Sequence, residues 1–289
     1  MMNSYVIYTD SACDMLPETL EKWGVKRCDL SFQFDGEDKV YTNFELTASA
    51  FYQRMREGGV AKTSAVNSET FRELFEQDVK DGKDILYLGF SSGLSTTFNC
   101  ARMAAEELQE TYPDRRVVTV DTLSASAGFG LLLYLAVQKK NEGATIDEVA
   151  AFAEDMRFHL CHWFTVDDLV YLKRGGRISP AVALIGGVLG IKPVLHMDDE
   201  GHLISRFKVR GRKAALQSLC DQYGALAHTT SEGVVYISHG DCVEDAALLA
   251  SMLKEAYGVD VAMTVNVGPV IGAHSGPGTL ALFFVAKER

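Results

Sequence analysis

The sequence predicts an α/β protein of two domains, a parallel sheet covered by helices followed by a mixed sheet. In the first half, short β-rich runs alternate with helical patterns, as in the apolar run 84–90 followed by the helical pattern 95–108. In the second half, a strand–turn–strand pattern at 192–209 precedes helical stretches near 212–227 and 243–257. The length of 289 residues suits two domains or one large α/β unit better than one small core.

The first half reads as a series of βαβ units. A strand is predicted at 5–8 and a polar loop at 9–14, and Pro17 stands where a helix can begin. A further strand at 117–120 is followed by a helix at 127–140. Such alternation implies a parallel sheet with both faces covered, and ligands of these sheets bind beyond the carboxyl ends of the strands.

The second half predicts a mixed sheet. The runs 192–195 and 203–209 form a hairpin around a turn at 199–201, and further strands are expected near 234–238, 260–267 and 279–286. The predicted boundary separates a parallel α/β domain, 1–165, from a mixed-sheet α/β domain, 166–289. No flexible linker is visible between them, so the two domains should pack tightly.

Composition excludes several classes of function. The net charge of −11 argues against a nucleic-acid-binding protein, which needs clustered Lys and Arg. The apolar run 181–195 is interrupted by glycines, a lysine and a proline and is too short to span a membrane. The six cysteines form no Cys-x-x-Cys pair, and the N-terminus lacks the features of a signal peptide. We therefore expect a cytoplasmic protein with reduced thiols.

One motif points to a serine hydrolase. Residues 89–93 read GFSSG, which matches G-x-S-x-G between a predicted strand and a predicted helix, and His274 could act as the base for Ser91. The alternative is that the serines cap the following helix. No oxyanion segment and no acidic third member of a triad are evident, so the cap is the simpler interpretation.

Two hydroxyl-bearing turns form a candidate anion site. Thr63 and Ser64 precede one predicted helix, and Ser92 and Ser95 precede another. Free backbone N–H groups and the positive end of the helix dipole favour an anion at such a position. The alternative is two ordinary caps. His274 lies in the glycine-rich run VGPVIGAHSGPGTL, where close backbone approach to a ligand and a buried structural histidine both remain open.

Two basic segments stand out on an acidic chain. Arg174 and Arg177 bracket a Gly-Gly turn, and the run 206–210, RFKVR, alternates at strand period. That alternation turns the basic side chains outward and Phe207 and Val209 towards the core. The run is suited to an acidic partner or a phosphate, or it is an edge strand protected by charge.

Other reactive combinations are weak. His159, Cys161 and His162 fit no zinc pattern, so no metal is predicted. Asp167 and Asp168 are neighbours on a strand and point to opposite faces, which argues against a catalytic pair. No phosphate-binding P-loop is present, so we expect no ATP site of that kind and no cofactor.

Read together, the segments resemble the DegV family over nearly the whole chain. Each segment is weak alone, but their order and spacing are specific. The matching segments are TDSACDM at 9–15, KTS at 62–64, SSGLSTTFNCA at 91–101, VDTLSASAG at 120–128, VDDLVYLKRGGRIS at 166–179, IKPVL at 191–195, KVR at 208–210 and GPVIGAHSGPGTL at 268–280.

The resemblance implies a long-chain, palmitate-like fatty acid buried between the two domains. Its carboxylate would be held by Thr63 and by Ser95, with Ser92 as the alternative serine, and His274 would lie close by. The family's best-studied members supply this acid to an ATP-dependent fatty acid kinase, and the resemblance implies that Arg210 contacts the kinase. Arg174 and Arg177 join Arg210 as predicted docking residues.

Two departures from the family pattern affect the site. Residues 64–67 read SAVN where members often have SQP after the threonine, and Thr96 follows Ser95 where a glycine is usual. The hypothesis is a non-catalytic carrier whose ligand carboxylate is held by hydroxyls and helix-start amides without a fixed cation. The segment 181–195 is the predicted mobile cover, and transient contact with a membrane surface is compatible with this role. A lipid-responsive interaction protein without a metabolic role is the remaining alternative.

Overall fold

The computed structural model describes residues 5–179, 190–229 and 233–289. The predicted cover at 181–195 therefore falls largely outside the described residues. The elements of the first part are β1 Tyr5–Asp10, α1 Pro17–Trp23, β2 Val25–Cys28, β3 Ser31–Phe34, β4 Val40–Thr42, α2 Ala48–Arg56, β5 Ala61–Ser64, α3 Ser68–Lys80, β6 Asp84–Gly89, α4 Thr97–Thr111, β7 Val117–Asp121, α5 Ser126–Asn141 and α6 Ile146–Met156. Those of the second part are β8 Leu160–Thr165, α7 Val170–Arg174, β9 Ile191–Met197, β10 Leu203–Arg210, α8 Arg212–Leu226, β11 Val235–His239, α9 Val243–Tyr257, β12 Val261–Asn266, α10 Pro269–Ser275 and β13 Leu280–Val285.

The first sheet is parallel throughout, with the strand order β2-β1-β6-β7. Every residue of β6 is buried, as expected for an apolar strand covered on both faces. Helix α3 begins after Asn67, whose side-chain oxygen accepts a hydrogen bond from the backbone N–H of Thr70. The sheet and its connecting helices confirm the predicted parallel α/β unit.

The second sheet is mixed, with the strand order β10-β9-β8-β13-β11-β12. Strands β9 and β10 form the predicted antiparallel hairpin. Strand β8 pairs with β13 along its whole length and with β9 at its end, so it belongs to this sheet. The predicted boundary after residue 165 assigns β8 to the parallel-sheet domain. Every residue of β8 is buried, as in a parallel strand, so the sequence alone does not reveal that it belongs to the mixed sheet. We therefore propose a boundary between α6 and β8.

A third, three-stranded sheet with the order β4-β3-β5 was not predicted. It contains the KTS segment, so Thr63 lies in a strand, paired with Phe32 of β3. The prediction that Thr63 belongs to a helix-start turn is wrong, because helix α3 begins only at Ser68. The strands of this sheet have three or four residues, too few for alternation to be evident in the sequence.

Helix α5 joins the two large sheets. Its residues from Ser126 to Leu133 are all buried, which is typical of a helix packed on every side. One continuous core runs from Leu86 of the parallel sheet through Leu132 of α5 to Phe283 of the mixed sheet. A second core packs α8 and α9 against the opposite face of the mixed sheet. The other face of the mixed sheet is covered by α5.

Candidate ligand-binding site

A cavity of about 250 Å³ lies between the two large sheets. Its floor is the inner face of the mixed sheet, formed by His162 and Phe164 of β8, Ala281 and Phe283 of β13 and Ser238 of β11. Alternate residues of a strand share a face, which explains why positions 162 and 164, and 281 and 283, line the same cavity. These floor residues were not predicted from the sequence, although their period-two spacing is the signal that could have found them.

The opposite wall comes from the carboxyl ends of the parallel strands. Leu30, Phe90 and Ala125 follow β2, β6 and β7, and all three line the cavity. The cavity therefore occupies the position beyond the strand ends where open parallel sheets bind their ligands. Most of its lining is apolar, and the polar lining residues near one end come from β5, the turn after α7, α10 and the turn before α4.

Thr63 and His274 meet at that end. The Thr63 Oγ1 and His274 Nε2 atoms are 2.8 Å apart. His274 lies in α10, a short helix where the sequence predicted a loop. Burial and the nearby charge of Arg177 lower the pKa of His274 to about 4, so its ring is neutral at neutral pH. The glycine-rich segment and the KTS segment therefore come together in the structure.

Of the two serines predicted as alternatives, Ser95 lines the cavity and Ser92 does not. Its hydroxyl lies 2.9 Å from the Thr97 hydroxyl and accepts a hydrogen bond from the Thr97 backbone N–H, at 3.2 Å. Ser92 is exposed, and its backbone N–H points to the Asp121 carboxylate at 3.3 Å. Ser64 is also exposed. Neither Ser92 nor Ser64 lines the cavity, so of the four predicted hydroxyls the structure brings together Thr63 and Ser95.

Ser91, the serine of the G-x-S-x-G motif, is held by hydrogen bonds to the backbone. Its hydroxyl is fully buried, donates to the Gly201 carbonyl at 2.9 Å and accepts from the Gly93 backbone N–H at 3.2 Å. Gly201 has a positive φ of 77°, and a Cβ there would come within 2.1 Å of the Ser91 oxygen. His274 is hydrogen-bonded to Thr63 instead. The nucleophile–base pair that a serine hydrolase requires is therefore not formed.

Arg177, a docking residue by the sequence prediction, lines the cavity in the structure. Its Nε and Nη2 atoms donate to the Leu94 carbonyl at 3.0 and 2.9 Å, and Nη1 donates to the Gly175 carbonyl. The side chain is half-buried and lines the cavity beside His274. Burial lowers the pKa of its guanidinium, which nevertheless stays charged. Among the described residues it has no carboxylate partner, so it is an uncompensated cation at the polar end.

A second, open cavity of about 320 Å³ adjoins this end and shares Thr63, Arg177 and His274 with the first. Lys62 and Arg174 also line it, so the opening is basic. Arg174 is exposed there and stands near the ring of Tyr171. The sequence linked Arg174 and Arg177 through the Gly-Gly turn but did not indicate that they face the ligand end.

Arg210 lies elsewhere, at the end of the edge strand β10, where it is exposed. The predicted alternation of this strand is largely kept, since Arg206, Lys208 and Arg210 are exposed and Val209 packs against the second core. The pairing of β9 and β10 shifts between Ser205 and Phe207. Phe207 packs against the ring of Trp163 but is 37% exposed, so it is less buried than the sequence predicted. The basic edge and the cavity opening are separate surfaces.

The described part of the chain contains neither a candidate metal site nor a candidate membrane span. No cluster of His, Cys, Asp and Glu suited to a metal occurs in 5–179, 190–229 or 233–289. In those same ranges no helix has the length and apolar character needed to cross a bilayer.

The fold and the site define an α/β protein with a buried apolar cavity that ends at hydroxyls, a neutral histidine and an arginine. A DegV family model matches residues 4–287, and the chain belongs to this family. A DegV domain-containing protein of Clostridium perfringens is 45% identical over 289 residues, covering 100% of this chain and 99% of the relative. The resemblance seen in the sequence is thereby confirmed.

Two solved structures extend the comparison. A DegV family protein of Thermus thermophilus, described by its fatty acid binding, is 30% identical, with a TM-score of 0.88 and coverage of 98% of this chain and 99% of that one. A stearic acid-binding protein of Eubacterium ventriosum is 27% identical, also with a TM-score of 0.88 and coverage of 98% of each chain. These similarities confirm the predicted α/β fold with its parallel and mixed sheets.

Proposed function

We propose that this protein binds a long-chain fatty acid, with the acyl chain in the cavity and the carboxylate at Thr63 and Ser95. The observation that carries the proposal is a largely apolar cavity whose polar end joins the Thr63–His274 pair to Ser95. The fatty acid binding of the related Thermus thermophilus protein supports it.

The acyl chain supplies most of the binding free energy. Each buried methylene contributes about 0.8 kcal/mol, so a chain with roughly fourteen of them has an upper limit near ~11 kcal/mol. Ordering of the chain and loss of translational freedom offset much of this gain. The remainder is enough for a ligand to stay bound through purification.

The polar end is suited to a carboxylate. If His274 Nε2–H donates to the Thr63 oxygen, the Thr63 hydroxyl proton is free to donate to the ligand, which as a carboxylate can only accept. Arg177 adds a positive charge at this end. Its presence revises the expectation of a site without a fixed cation, because a desolvated carboxylate is costly unless it is paired or hydrogen-bonded.

The proposed role is to present this carboxylate to a separate ATP-dependent kinase that forms the acyl phosphate. The opening beside Thr63 and Arg177 supports access to the head group by a second protein. Arg210, on the exposed edge strand, is the proposed contact with that kinase. We propose that the protein meets the kinase in the cytoplasm, since all six cysteines are unpaired. We expect any contact with a membrane to be transient.

Native mass spectrometry of freshly purified protein tests the lipid. We expect a bound fatty acid in the wild-type protein and loss of it in the double variant Thr63→Ala, Ser95→Ala. The matched control is Ser64→Ala, Ser92→Ala, which removes two exposed hydroxyls and should retain the ligand. Absence of acyl chain in every sample, even after incubation with stearate, would rule the proposal out.

A kinase assay tests the role. With an acyl-phosphate-forming kinase and ATP, wild-type protein loaded with fatty acid should support transfer of phosphate to the lipid. If the loaded protein binds such a kinase without acyl phosphate formation, it is a lipid-responsive interaction protein instead. Labelling of Ser91 by a serine-directed hydrolase probe would favour the hydrolase, which the buried Ser91 hydroxyl argues against.

A further inference from the structure

The backbone of Gly175 approaches the ring of His274 very closely. Gly175 follows α7, and a Cβ built on it would lie 2.1 Å from His274 Nδ1 and 3.0 Å from Cγ. Its φ of −72° and ψ of −11° are open to every L residue, so the backbone conformation does not require a glycine here. The glycine is required instead by the imidazole, which occupies the space that any Cβ would fill.

This approach is one half of a tight contact between α7 and α10. In the other half, a Cβ on Gly276, which follows α10, would lie 2.3 Å from the Tyr171 ring of α7. Each of the two short helices is thus followed by a glycine against which a ring of the other helix packs. The His274 ring is therefore held between the Gly175 backbone on one side and Thr63 Oγ1, 2.8 Å from Nε2, on the other.

The same contact determines which ring nitrogen of His274 carries the proton. Nδ1 is buried, faces the Gly175 backbone and has no hydrogen-bond partner among the residues that the structure describes. A proton on Nδ1 would be a buried donor without an acceptor, whereas a lone pair there faces the Cα–H of Gly175, a weak donor. The proton therefore resides on Nε2, which donates it to Thr63 Oγ1.

This tautomer makes Thr63 a hydrogen-bond donor to the ligand. A hydroxyl that accepts from Nε2–H keeps its own proton for another acceptor, and a carboxylate can only accept. With the proton on Nδ1, the Thr63 hydroxyl would donate to Nε2 and present only lone pairs to the carboxylate. The Gly175 carbonyl, which accepts from Arg177 Nη1, is a backbone group that any residue at this position would keep.

We propose that Gly175 is a positioning residue of the ligand site. Its Cα, free of a side chain, holds the His274 ring against Thr63 and keeps the ring proton on Nε2, so that the Thr63 hydroxyl donates to the carboxylate. This inference rests on the proposed fatty acid function and adds a determinant of head-group binding to it. Gly175 acts through His274 and not by contact with the acyl chain.

The first test is ¹⁵N NMR of the His274 ring in ligand-free protein at neutral pH. Wild type should show a single tautomer with the proton on Nε2. Gly175→Ala should displace the ring from Thr63, so that its nitrogen shifts approach the averaged values of a histidine in water. Gly176→Ala is the matched control: its φ of 72° strains an alanine, but a Cβ there meets nothing within 4 Å, so the wild-type tautomer should be kept. A proton on Nδ1 in wild type, or an unchanged ring in Gly175→Ala, refutes the inference.

The second test is a double-mutant cycle measured by calorimetric titration with stearate. Gly175→Ala should weaken binding about tenfold, because Thr63 loses the fixed donor that frees its proton for the ligand. In a His274→Ala background the new methyl group meets no ring, so Gly175→Ala should change the affinity by less than about twofold. Gly176→Ala should also stay within about twofold of wild type. A tenfold loss that persists without the His274 ring would mean that residue 175 acts through the backbone, and the inference would fall.

The two tests separate this inference from the function on which it rests. If stearate binds to wild type and either test gives its contrary result, the fatty acid function stands and the role of Gly175 is refuted. If stearate does not bind to wild type, the fatty acid function falls, and the role of Gly175 in head-group binding falls with it. The NMR measurement needs no ligand, so it still decides whether Gly175 positions the His274 ring.

Discussion

Arg177 and Arg210 belong to two basic segments that look alike in the sequence. In the structure, Arg177 lines the cavity and Arg210 is exposed to solvent. Arg177 is half-buried, is held by the Leu94 and Gly175 carbonyls and lines the cavity. Arg210 is exposed on an edge strand and has no ion-pair partner in the part of the chain that the structure describes. A cation fixed by backbone carbonyls is suited to a small anionic ligand, whereas a free cation on a sheet edge is suited to a protein surface.

The largest effect is expected from Arg177→Gln. Loss of a charged hydrogen-bond donor at a half-buried site should weaken stearate binding by about 10- to 100-fold, since such bonds contribute about 1.5–3 kcal/mol. Calorimetric titration with stearate measures the change. Arg174→Gln is the control, because that side chain is exposed and should alter affinity by less than about threefold. Equal losses in both variants would erase the distinction between the two arginines.

Arg210→Ala tests the outward-facing segment. We expect unchanged stearate affinity and about a tenfold fall in kinase-dependent acyl phosphate formation, because an exposed cation at an interface acts mainly on the partner. The two measurements use the same protein preparation. Weakened stearate binding in Arg210→Ala would contradict the separation of the two surfaces. A normal rate of phosphate transfer would remove Arg210 from the kinase contact.

The sequence predicted the order of the strands and helices better than it predicted which way side chains face. Strand–helix alternation is local, so the βαβ units and the hairpin could be inferred. The placement of β8 could not, because its partners β13 and β9 lie elsewhere in the chain. The alternation at 206–210 is local and could be inferred, whereas the register shift near Phe207 depends on how β10 pairs with β9.

The same limit applied to the site. Thr63, Ser95 and His274 were predicted by resemblance, and the structure brings Thr63 and His274 into contact and places Ser95 on the same cavity. The inward direction of Arg177 was missed, because it depends on the Leu94 carbonyl, 83 residues away in the chain. Whether a polar side chain is buried depends on segments that are distant in the chain, so a local sequence motif does not predict it.

Ser91 shows that an inward-facing polar residue need not belong to the ligand site. Ser91→Ala leaves the Gly201 carbonyl and the Gly93 N–H without their partner, which should lower the free energy of unfolding by about 1–3 kcal/mol. Urea denaturation measures this, with the exposed Ser92→Ala expected within about 0.5 kcal/mol of wild type. Stearate affinity should be retained. Unchanged stability together with lost binding would instead place Ser91 in the site.

The smallest effect concerns the charge of His274, which burial and the neighbouring Arg177 determine. The pKa of His274 is about 4 in the folded protein, against an ordinary value of 6.5, because of burial and the neighbouring Arg177. In the ligand-free protein its ring resonances should therefore show no titration between pH 8 and 5.5 by NMR. Arg177→Gln removes the neighbouring charge but leaves the burial, so the pKa of His274 should rise but stay below 6.5.

The sign of the stability effect follows from proton uptake. Between pH 6.5 and 4 the unfolded chain protonates this histidine and the folded chain does not, so its contribution to stability falls as the pH falls. The buried carboxyls of Asp10 and Asp14 act in the opposite direction, because burial raises their pKa values to about 6 and about 7. The difference in unfolding free energy between wild type and His274→Gln isolates the histidine. That difference should shrink as the pH is lowered from 6.5 to 4; if it grows, His274 is charged in the folded protein and the neutral-histidine site is wrong.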